Sequence, residues 1–83
     1  MNIYEQAINK FGADHQILKS VSELNELSLA LMHYREGKAT VEQVQIEMVD
    51  VHIMLKQLNI IIGEPSEELV AKQLNKLNKA INS

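Results

Sequence analysis

Along the chain, apolar positions recur every three to four residues in four blocks, and nowhere at the two-residue period of a strand. The first block runs from Ile3 to Phe11 and stops at Gly12. Asp14 has the chemistry of a cap for a long second helix from His15 to Arg35, with Gly37 just past its end. Thr40, followed at the third position by Gln43, has the form of a capping box and opens a third helix that reaches about Ile62, before Gly63. The turn GEPSEE follows, and its Ser66, Glu67 and Glu68 suit the start of a fourth helix ending near Ile81. The fold class expected is all-α: one domain over residues 1–83, a four-helix bundle.

Two helices depart from a simple stripe. The second is apolar around more than half its circumference, through Ile17, Leu18, Val21, Leu24, Leu27, Leu29, Leu31, Met32 and Tyr34. That arc is wider than one core requires, so the helix is expected to be covered on two sides, in a homodimer or dimer of dimers. The third places Glu47 and Asp50 on the face that carries Val44, Val51, Met54, Leu58 and Ile61, while Gln45, His52, Lys56 and Asn59 project from the other side. Met32, Met48 and Met54 are taken as core filling.

Composition narrows the function classes. The net charge of −3 argues against nucleic-acid binding, and no run approaches the ~20 apolar residues of a membrane span. The N-terminal segment has neither a basic leader nor an apolar core, and there are no cysteines for disulfides or thiolate metal sites. The expectation is a soluble cytoplasmic protein with no membrane and no nucleic-acid partner.

The acids carry the chemistry. Glu23 and Glu26 stand three apart on helix two, as Glu47 and Asp50 do on helix three, so each pair shares a face. Alone, the first pair has the look of a solvated face, with Lys19, Ala30 and His33 in the same sector. The second pair lies on an apolar face, where carboxylates require protonation, a basic partner or a cation. A short turn joins the two helices, which should therefore run antiparallel, and Glu26 and Glu47 are nearly equidistant from it. Four carboxylates should converge, an all-oxygen set suited to Mg²⁺ or Mn²⁺. A di-iron carboxylate centre would need Glu-x-x-His, which is absent, and His15, His33 and His52 are assigned no ligand role.

Glu-x-x-Glu at 23 and 26, then Glu-x-x-Asp at 47 and 50 on the next helix, within HQILKSVSELNELSLAL and IEMVDVHIMLKQL, resembles the signature of the MazG-like nucleotide pyrophosphohydrolases, in the all-α NTP pyrophosphatase group. The resemblance covers nearly the whole chain. It implies an oligomeric, Mg²⁺-dependent hydrolase that cuts a nucleoside triphosphate between the α and β phosphates, with Glu23, Glu26, Glu47 and Asp50 as metal ligands and catalytic residues. Gln16, Lys19, Lys72 and Lys76 become candidates for substrate contact, although the lysines of the last helix, Lys79 included, equally suit its solvated side. Ser22 stands where relatives have a further acid, and Lys76 and Lys79 where many have arginine, which alone offers bidentate phosphate geometry. The competing expectation is a weakly active or inactive oligomeric binding module of the same fold.

Overall fold

The computed structural model describes all 83 residues as four helices and no strand: α1 (Ile3–Phe11), α2 (Ala13–Arg35), α3 (Val41–Ile61) and α4 (Glu67–Ile81). Local chemistry accounts for most boundaries. Asn2 and Glu5 form a reciprocal capping box on α1. The expected box on α3 is present: Thr40 Oγ1 accepts from the Gln43 amide at 3.1 Å, and Gln43 Oε1 accepts from the Thr40 amide at 2.8 Å. Ser66 caps α4 by accepting from the Leu69 amide at 3.2 Å.

Asp14 is not the cap of α2. The helix begins one residue earlier, at Ala13, and Gly12 takes the cap position at φ +94° without any side-chain bond, leaving Asp14 in the first turn as an acid at the positive helix end. At the other end the chain leaves α2 through a Schellman arrangement. Lys38 N–H donates to His33 C=O at 2.7 Å and Gly37 N–H to Tyr34 C=O at 3.0 Å, which requires the φ of +75° that Gly37 adopts.

α2 and α3 pack as an antiparallel pair, and α1 lies across both. α4 packs against none of the other three, so within one chain the bundle has three helices and a projecting fourth rather than the four expected. Its apolar row, Leu69, Val70, Leu74, Leu77 and Ile81, is exposed along its whole length.

The interior is thin and unusually polar. Only Val44, Val51 and Met54 form the buried apolar core, beside buried Gln16, Ser20, Glu23 and Gln57. Thus α2 turns its polar stripe inward, with Gln16, Ser20 and Glu23 meeting α3, while Leu18, Val21, Leu29 and Met32 stay exposed. Of the three methionines expected in the core only Met54 is there, because Met32 and Met48 lie on outward faces. Polar groups at a helix contact must find partners. Gln16 Nε2 donates to Gln57 Oε1 at 2.7 Å, and Ser20 Oγ donates to Gln16 C=O at 2.8 Å. Gln16 Oε1 meets His15 Nδ1 at 2.8 Å, and the His15 ring stacks on Phe11 with centroids 5.7 Å apart, tying α1 to the pair.

Surface area gives the consequence. The chain exposes 6687 Å², whereas a folded monomer of 9.4 kDa is expected to expose about 5000 Å². The difference, about 1700 Å², is surface that a self-sufficient domain of this mass would have covered. No helix is long and apolar enough to cross a membrane.

Candidate metal centre

Three of the four acids meet. One carboxylate oxygen from each of Glu23, Glu26 and Glu47 lies within 4.8 Å of the other two, where α2 and α3 face each other behind the turn. The equal offset of Glu26 and Glu47 from that turn produces this match. Asp50, one turn along α3 from Glu47, does not join. It is half-buried and lines a separate shallow groove with Glu42, Gln45, Ile46 and Val49.

The three carboxylates differ in setting. Glu23 is 8% exposed, Glu47 is intermediate and Glu26 is exposed. Lys19 Nζ sits 3.2 Å from Glu23 Oε1, one helical turn away, with the lysine itself half in solvent. This single contact leaves Glu23 Oε2 and Glu47 Oε2 buried with no hydrogen-bond partner. Orphaned carboxylate oxygens are costly, since a buried acceptor without a donor forfeits its hydration. The charge of Glu23, together with partial loss of hydration and the charge of Glu47, raises the pKa of Glu26 above its ordinary 4.5, with Lys19 opposing. A hard divalent cation fits this set: the donors are all carboxylate oxygens, two of them lack a partner, and like charges are held together with one lysine among them.

A groove of about 380 Å³ opens beside the cluster toward the α2–α3 turn. Glu26 and Glu47 form its acidic end, Leu29, Ala30, Ala39 and Ile46 its apolar wall, and His33, Lys38 and Gln43 its far end. From the sequence, Gln43 had only its capping role, and Lys38 and His33 had no functional one. The available signal was their place at the turn between the two acid-bearing helices.

The proposed substrate contacts separate. Lys19 touches the cluster through Glu23. Gln16 lies inside the helix contact with its amide committed to Gln57 and His15, so it presents no free group to a ligand. Lys72 and Lys76 lie on α4, which the single chain does not bring to the groove. Compared with family models, curated proteins and solved structures, the chain matches none of them.

Proposed function

We propose that the chain is a divalent-metal-dependent nucleoside triphosphate pyrophosphohydrolase of the MazG-like kind, acting as a homo-oligomer. The observation that carries this reading is the carboxylate triad, with Glu23 and Glu47 each holding a buried oxygen that lacks a partner. Glu23, Glu26 and Glu47 would hold Mg²⁺ or Mn²⁺, which supplies charge neutralisation for phosphate oxygens and lowers the pKa of bound water. Water adds to one phosphorus of the α–β anhydride, the bond from that phosphorus to the bridging oxygen breaks, and nucleoside monophosphate and pyrophosphate leave.

The chain's own groups have distinct tasks in that reaction. Glu23, the most buried of the three, is the fixed anchor, and Lys19 holds its other oxygen in place. Glu26 is the exposed member of the cluster, so an oxygen not engaged by the metal would be placed to accept a hydrogen bond and then the proton of the attacking water. The groove wall of Leu29, Ala30 and Ile46 offers apolar surface to part of a nucleotide.

One observation favours a second reading, a non-catalytic metal-binding module: Asp50, the fourth acid of the pattern, stands outside the cluster. The two readings part on a single assay. Purified protein is incubated with Mg²⁺ or Mn²⁺ and a panel of ribo- and deoxynucleoside triphosphates, and products are separated by ion exchange. Monophosphate plus pyrophosphate, lost in Glu47→Gln, supports the hydrolase. Binding of metal without turnover of any nucleotide overturns it in favour of the module.

A further inference from the structure

The far end of the groove is rich in donors. Gln43 Oε1 is committed to the Thr40 amide in the capping box, so the side chain can offer the groove only its NH₂ group. Lys38 has donors and no acceptor, and its position is set by the Schellman turn, where its own backbone N–H is tied to His33 C=O. Its one ionic partner is Glu36 at 3.3 Å, an exposed pair with the lysine side chain 70% accessible, which exchanges for a stronger anion at little cost. His33 completes the set from the last turn of α2. The two ends of the groove therefore differ in chemistry: carboxylates that take a cation at one end, donors that take an anion at the other, with apolar surface between.

We propose that Lys38, Gln43 and His33 form the subsite for the terminal phosphates of a metal-bound triphosphate, the part that departs as pyrophosphate. This rests on the metal-centre reading above and adds a selection to it. Discrimination of triphosphate from monophosphate lies at the α2–α3 turn and is independent of the base. Charge-assisted hydrogen bonds to phosphate oxygens supply the attraction. Lys38 and the free NH₂ of Gln43 are complementary to acceptor atoms, so a carboxylate introduced at position 43 would repel the phosphates that the amide attracts.

The test uses the full chain, Mn²⁺ and inorganic tripolyphosphate as the probe, with metal binding and polyphosphate binding measured separately by calorimetry. Gln43→Glu is the decisive variant. A glutamate at this position still accepts from the Thr40 amide and so keeps the α3 cap, but it exchanges the NH₂ donor for an anionic oxygen. Lys38→Met removes the charge and the donors while nearly retaining length. Each variant is expected to bind Mn²⁺ within about twofold of the parent and to bind tripolyphosphate about tenfold more weakly. Mn²⁺ affinity and tripolyphosphate affinity both unchanged would overturn the subsite while leaving the metal centre standing. A parent protein that takes up no Mn²⁺ overturns the metal centre and the subsite together.

Discussion

Replacing Glu47 by glutamine should move the melting temperature in opposite directions depending on whether metal is present. Without metal, Glu23 and Glu47 hold carboxylate oxygens within 4.8 Å. At that distance the repulsion is about 0.9 kcal/mol in a water-like dielectric and about 3.5 kcal/mol at an effective dielectric of 20. The Lys19 contact on Glu23 and the open flank of the site put the relief near the lower end, ~1 kcal/mol. Glutamine also brings an NH₂ group that can donate to the orphaned Glu23 oxygen. For a domain of this size ~1 kcal/mol corresponds to roughly 4–8 °C, so metal-free Glu47→Gln should melt that much higher than the parent. With Mn²⁺ at a hundred times its Kd the parent gains about 2.7 kcal/mol, and the variant, short of one of three ligands, gains little. The order of the two melting curves should therefore reverse on adding metal. Scanning calorimetry of both proteins, with EDTA and with Mn²⁺, reads this directly. If the metal-free variant melts lower than the parent, the carboxylate is stabilising the apo fold and the reasoning from repulsion fails. If both proteins gain equally from Mn²⁺, Glu47 is not a ligand.

Two further outcomes are expected. The raised Glu26 pKa means the folded metal-free chain binds more proton than the unfolded one, so this group's stabilisation is complete below its ordinary value of 4.5 and is lost as pH rises through the elevated one; melting curves across that window should show the slope, and Glu26→Gln should flatten it. The extra 1700 Å² or so of exposure per chain should be covered by a second copy, so light scattering should give at least twice the 9.4 kDa chain mass, with Leu18→Glu on the outer α2 face lowering it; a parent mass of one chain would refute this.

The helices were legible because their signals are local. Thr40 with Gln43, Ser66 and Gly37 each act within a turn of their own position, and the structure places all three as expected. The triad was legible through register: a short turn plus equal offsets brings Glu26 opposite Glu47. What escaped was which face turns inward. By hydrophobicity α2 should bury its leucines, yet it meets α3 through Gln16, Ser20 and Glu23, and the one hydrogen bond that crosses this contact joins Gln16 to Gln57, 41 positions away, leaving no mark in a window. Asp50 was misplaced because helical spacing fixes the angle between neighbours, while the crossing of two helices decides which of them meets the partner. Gln43 went unassigned because its cap was a sufficient local explanation, and Lys38 and His33 because only the facing of α2 and α3 brings them to one groove.

The Gln16–Gln57 bridge has an implication for how this sequence can change over time. Gln16 Nε2 and Gln57 Oε1 meet inside the helix contact, so losing either side chain strands a buried polar atom of the other, at a cost of about 1–3 kcal/mol. Exchanging both for apolar residues of similar shape is nearly neutral. The two positions therefore behave as one inherited character with a valley between its states. A lineage can hold the pair of glutamines or a pair of hydrophobes, and the single-substitution intermediate is the form that selection removes.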